Sequence, residues 1–88
     1  MSASDDRVAV EAAAAVWPDD VDEEEGVVVN WFAREGRIVT EGEPVCEIQI
    51  EKVDVDVPAP VGGELVEIVL AEDAECTRDS ILGWIDPE

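Results

Sequence analysis

The sequence predicts an all-β domain, a sandwich of short strands built from two similar halves. Three observations carry this reading. Apolar and polar residues alternate over Cys46-Glu47-Ile48-Gln49-Ile50 and again over Val53-Asp54-Val55-Asp56-Val57, the period-two pattern of half-buried strands. The stretch beginning at Gly26 lies over the stretch beginning at Gly63, without gaps, at an offset of 37 residues, with Val39 over Cys76, Thr40 over Thr77, Val45 over Leu82 and Ile48 over Ile85. Turn-forming residues recur at matching places, Glu35-Gly36 with Glu72-Asp73 and Gly42 with Asp79, each between apolar runs.

In chain order, residues 1–9 are polar and small and read as a disordered amino-terminal segment, with the folded domain covering 10–88. Ala12 to Ala15 favour helix on propensity alone. The run is short, however, and ends at Trp17-Pro18; an isolated helix of that length is marginal, so a strand is expected. From Asp19 to Glu25 six of seven residues are acidic, which reads as an exposed loop. Trp31, Phe32 and Trp84 fall in predicted strands and read as core or rim packing. After Val57 the run Pro58-Ala59-Pro60 cannot continue a central ladder, and Gly62-Gly63 suit a positive φ.

Between the two halves the alternating runs are separated only by Glu51 and Lys52, so a tight hairpin joins them. Cys46, Ile48 and Ile50 then share a face with Val53, Val55 and Val57, and the carboxylates point outward. Lys52 is the only lysine of the chain. Two-residue hairpins ordinarily recruit Asn-Gly, Asp-Gly or Gly-X, because their favoured geometries need positive φ. A Glu-Lys loop departs from that rule, and such departures concentrate at functional sites. An amine held at the apex of a rigid turn suits a lysine that other proteins read or modify; the alternative is an ordinary exposed lysine in a type I turn.

Eighty-eight residues make one domain with a modest core and little room for a large cleft. With 24 acidic against five basic residues the net charge is −19, which repels nucleic acid and anionic membranes and favours a soluble monomer. At 47% apolar the chain is no disordered acidic tail. The composition predicts an acid-coated fold from a halophile, where a Debye length of roughly 3 Å at 1 M salt lets carboxylates crowd together. Cys46 and Cys76 allow at most one disulfide and read as core residues. No apolar run approaches the roughly 20 residues of a membrane span, and Asp5 and Asp6 stand where a signal peptide carries positive charge. A cytoplasmic location is expected. Without histidine there is no Ser-His or Cys-His couple, and no calcium-loop pattern occurs, so neither catalytic residues nor a metal site is expected.

Glu47-Ile48-Gln49-Ile50-Glu51-Lys52-Val53-Asp54-Val55-Asp56-Val57-Pro58-Ala59-Pro60-Val61-Gly62-Gly63 resembles the attachment motif of the biotinyl/lipoyl domains. Residues 25–36 resemble the second strand and following turn of that family, and Gly42-Glu43-Pro44-Val45 its G-[DE]-x-[LV] turn. The resemblance spans about Val10 to Ile85. It implies a flattened β-barrel, or barrel-sandwich, of two four-stranded antiparallel sheets related by a quasi-twofold axis, in agreement with the offset of 37. It also places the first strand near Ala12 to Trp17.

Within that family the lysine carries lipoate or biotin. Biotin carriers flank it with methionines, whereas here the neighbours are Glu51 and Val53 and the only methionine is Met1. The resemblance therefore implies lipoate on Lys52, in a lipoyl domain of the 2-oxo acid dehydrogenase acyltransferase type. Biotin in a carboxyl carrier is the alternative, and an unmodified interaction module the second. The implied partners are a lipoylating enzyme that reads Glu51, Val53 and Asp54, a thiamine-dependent 2-oxo acid decarboxylase, an acyltransferase core and a dihydrolipoyl dehydrogenase. The loop Pro18 to Glu25, beside the lysine in the family, is the candidate for partner discrimination.

Overall fold

A computed structural model describes residues 6–15, 17 and 25–88. Eight strands follow in chain order: β1 (Val8–Glu11), β2 (Glu25–Trp31), β3 (Ile38–Val39), β4 (Pro44–Ile50), β5 (Val53–Pro58), β6 (Gly63–Ile68), β7 (Glu75–Thr77) and β8 (Ile81–Pro87). They form two antiparallel four-stranded sheets, β1-β8-β6-β3 and β5-β4-β2-β7. The all-β sandwich read from the alternation is the observed architecture.

The internal repeat is also real at the level of single hydrogen bonds. Shifting by 37 residues carries β2 onto β6, β3 onto β7 and β4 onto β8. The Phe32 N–H donates to the Val45 carbonyl at 2.9 Å, as its mate Val69 does to Leu82. Gly36 N–H donates to Leu65 O and Asp73 N–H to Val28 O, so each half closes a turn onto the other. Glu72 accepts from the Trp31 N–H and Glu35 from the Ile68 N–H. A symmetry visible only as apolar pattern in the sequence thus extends to side chains reaching across the axis.

Val28, Val45, Ile48, Ile50 and Val57 from one sheet and Val10, Val39, Leu65, Leu82 and Ile85 from the other are fully or almost fully buried between the layers. Burying such side chains is the main source of stability, at about 25 cal/mol per Å² of apolar surface. Among the described residues no polar or charged residue is buried. Trp31 and Trp84 are half-buried and Phe32 exposed, rim positions as expected; Trp31 Nε1–H donates to the Leu70 carbonyl at 2.7 Å.

Two expectations need correction. The first strand is not Ala12 to Trp17 but Val8–Glu11, which pairs with β8 through Val8↔Ile85 and Val10↔Gly83. Pairing therefore begins two residues inside the segment expected to be disordered, because Val8 and Val10 face inward and complete the edge of the sheet; residues 1–5 lie outside the described residues. The alanines instead make one turn of 3-10 helix, Ala12–Ala14, so their helical propensity is partly expressed. Ala12 N–H donates to Ser80 O, and Trp17 Nε1–H donates to Ala12 O at 2.8 Å. Small side chains let the chain turn over the end of the sandwich, with Ala12, Ala15 and Trp17 buried.

Cys46 and Cys76 are both free and buried, which confirms them as core residues. Burial pushes the Cys46 thiol up to about 12 and also raises Cys76. Because the folded thiol titrates above its ordinary value of 9.0, the unfolded chain loses its proton first as pH rises. The stabilisation is therefore complete below about pH 9 and drains away between about 9 and about 12, at up to about 1.4 kcal/mol per pH unit. Urea midpoints are expected to fall across this window and to fall less in Cys46→Val.

Candidate functional site

The hairpin β4–β5 carries the candidate site. Its register runs Ile50↔Val53, Gln49↔Asp54, Ile48↔Val55, Glu47↔Asp56 and Cys46↔Val57, leaving Glu51 and Lys52 as the two-residue turn. Lys52 is exposed at its apex. The shared apolar face is as expected but graded. Cys46, Ile48, Ile50 and Val57 are fully buried, Val55 is half-buried, and Val53 is 43% exposed. The hairpin therefore projects past the end of the core, and Val53, Glu51 and Asp54 surround Lys52 as exposed neighbours.

The odd turn sequence has a geometric counterpart. Glu51 adopts φ 58°, one of two non-glycine residues with positive φ among the described residues. The other, Asp73, is the mate of Gly36, which has φ 98°, and aspartate tolerates this region. Glutamate gains no such local compensation. Positive φ at the first turn position matches the right-handed twist of the flanking strands, which an ordinary type I turn would splay. Sheet pairing on both sides therefore imposes a conformation that costs about 1–2 kcal/mol in an L-residue. Glu51→Gly is expected to raise stability by about 0.5–1 kcal/mol, the relief being partly offset by the freer unfolded glycine. Glu51→Ala is expected to change it little; equilibrium urea unfolding of both variants checks this.

Beside the turn lies a groove of about 240 Å³ lined by Glu25, Gly26, Val27, Gln49, Glu51 and Glu75. Gly26 lines it through backbone, and a Cβ there would come within 2.9 Å of the Gln49 carbonyl and face Ile50 and Cys76. Sequence reasoning identified Glu51 but missed Glu75, which reaches the site only because β7 pairs with β2 through Val27↔Glu75. The expected discriminating loop falls, apart from Glu25, outside the described residues. No three carboxylates or thiols converge as metal ligands among the described residues.

The structure thus presents an exposed amine on a two-residue turn at the edge hairpin of one of two similar sheets. The profile of the biotinyl/lipoyl family, described as biotin-requiring enzyme, matches residues 20–85. The chain belongs to this family. Among its relatives, the dihydrolipoyllysine-residue succinyltransferase component of the 2-oxoglutarate dehydrogenase complex of Bartonella vinsonii subsp. berkhoffii is 37% identical over 62 residues, covering 70% of this chain and 15% of that protein. The dihydrolipoyllysine-residue acetyltransferase component of the pyruvate dehydrogenase complex of Mycobacterium tuberculosis is 44% identical over 50 residues, covering 57% and 9%. This member of the biotinyl/lipoyl family thus spans a small part of the length of these curated relatives. In three dimensions it is similar to the solution structure of the lipoyl domain of the 2-oxoglutarate dehydrogenase complex from Azotobacter vinelandii. That match has a TM-score of 0.62 at 28% identity and covers 78% of this chain and 85% of the other.

Proposed function

We propose that the chain is a lipoyl carrier in which Lys52 Nζ forms an amide with lipoate, within a 2-oxo acid dehydrogenase complex. The exposed position of the sole lysine at the β4–β5 apex carries this reading, and the likeness to a lipoyl domain and to dihydrolipoyllysine proteins supports it. The residues present fit the group: the amine is exposed, and the turn holding it is clamped by strand pairing on both sides. Once attached, lipoate supplies a dithiolane that takes up an acyl group together with two electrons.

The chain itself presents rather than catalyses. Ile48, Ile50 and Val57 lock the hairpin to the core, so the amine starts each excursion from a fixed point. Tethering raises its effective concentration at each partner site. Those partners are a lipoylating enzyme, a thiamine-dependent decarboxylase, an acyltransferase core and a dihydrolipoyl dehydrogenase. Lipoate is favoured over biotin because no methionine flanks Lys52 and the relatives are dihydrolipoyllysine proteins. Intact mass of the protein from its native host is the test: a lipoyl increment on Lys52 supports the reading, whereas a biotinyl increment or an unmodified lysine overturns it.

A further inference from the structure

The groove beside the hairpin is built from both halves of the chain. Glu51 comes from the turn itself, Gln49 from β4, Glu25, Gly26 and Val27 from the start of β2, and Glu75 from β7. One cross-strand row runs Asp54, Gln49, Val27, Glu75 over the outer face of the sheet, so the groove is continuous with the surface bearing Lys52. Its lining is mixed in a specific way. Val27, 38% exposed, supplies an apolar patch, while Glu25, Glu51 and Glu75 supply carboxylates around it. Those carboxylates do not converge on a point as ligands for an ion. An apolar patch at Val27 flanked by separated carboxylates suits a long basic side chain, which lays its methylene stem on apolar surface and keeps its charged head among acceptors.

Which protein brings that side chain follows from reach. Amide formation requires the activated carbonyl carbon to meet Nζ itself, only a lysine side chain away from the hairpin, so the enzyme that performs it must lie against the hairpin and its neighbouring surface. Enzymes that act at the far end of the finished arm have its whole length to spare.

We propose that this groove receives an arginine or lysine side chain of the lipoylating enzyme, with Glu75 and Glu25 as its recognition residues. The assignment rests on the carrier reading above. In the reaction it serves, the deprotonated Lys52 amine attacks the carbonyl carbon of a lipoyl adenylate made by that enzyme from lipoate and ATP. The C–N bond forms, the C–O bond to adenylate breaks, adenylate departs with the bonding pair, and the nitrogen releases one proton. The groove takes no part in these bond changes. It sets how the two surfaces meet.

The internal symmetry supplies the controls. Glu64 and Asp86 are the mates of Val27 and Gln49 on the other sheet, paired with each other as Val27 is with Gln49, and they lie away from Lys52. The full chain, unmodified, is incubated with a bacterial lipoate–protein ligase, lipoate and MgATP, and lipoylation is followed by intact mass over a range of salt concentrations. Glu75→Lys and the pair Glu25→Gln with Glu75→Gln are expected to lower kcat/KM about tenfold, mainly through KM, and to flatten its salt dependence, with the unfolding midpoint unchanged. Glu64→Lys and the pair Glu64→Gln with Asp86→Asn, which change net charge equally, should stay within about twofold. Equal behaviour of groove and control variants overturns the groove assignment while the carrier reading stands. A wild-type chain that gains no lipoyl mass overturns both.

Discussion

Lys52→Arg is expected to abolish modification of the chain outright while leaving its fold intact. Arginine keeps the positive charge and the length, but its guanidinium is not deprotonated at any working pH and offers no nucleophilic lone pair. No other lysine exists to take over. Because the side chain is exposed at a turn, stability should stay within about 0.5 kcal/mol. The measurement pairs intact mass after treatment with a lipoate–protein ligase with the acyl-transfer activity of the reconstituted complex. Loss of the mass increment together with loss of activity supports the carrier role. Unchanged activity in Lys52→Arg would instead favour an interaction module that keeps this fold as a scaffold.

Gly63→Ala is expected to be the most damaging single methyl addition, costing more than about 3 kcal/mol or preventing folding. Gly63 opens β6 and pairs with Pro87. A Cβ there would overlap the backbone carbonyl of Asp86 and lie 2.8 Å from the Pro87 Cα, at a φ of 157° that L-residues rarely adopt. Backbone cannot swing aside as a flexible side chain would. The mate position offers an internal comparison. At Gly26 the added Cβ would press on one carbonyl, that of Gln49 at 2.9 Å, with its next neighbours at ordinary contact distance, and its φ is not in the left-handed range. Gly26→Ala should therefore cost less, about 1–2 kcal/mol. Urea denaturation of both variants gives the order, and a Gly63→Ala chain as stable as Gly26→Ala would contradict the close approach.

Several parts of the fold were legible because their causes are local. The alternation in Cys46–Ile50 and Val53–Val57 set the two strands, their facing sides and the position of the turn, since only one register buries Ile48 and Ile50 together with Val57. The offset of 37 predicted which turns correspond, and the backbone bonds of Phe32 and Val69 bear it out. What failed was the first strand. Ala12–Ala14 carry little side-chain information beyond propensity, whereas Val8 and Val10 have the right period but sit in a polar, small-residue stretch that reads as terminal. Only the unpaired edge of β8 makes a strand of Val8–Glu11.

The site divides in the same way. Lys52 and its neighbours Glu51, Val53 and Asp54 were visible because a two-residue gap between alternating runs leaves them nowhere else to go. The positive φ of Glu51 was not, since glutamate gives no sign of it and the conformation is forced by the twist of the paired strands. Glu75 was not either, for no local rule brings a residue 23 positions downstream of Lys52 to the same groove. The sequence alone determined the mirrored strand pattern, the hairpin and the single amine at its tip, because alternation and turn length act between neighbours. The tertiary structure decided which terminal segment completes a sheet, how much strain the turn carries and which distant carboxylates line the groove beside the hairpin, because those depend on strand pairings between segments far apart in the chain.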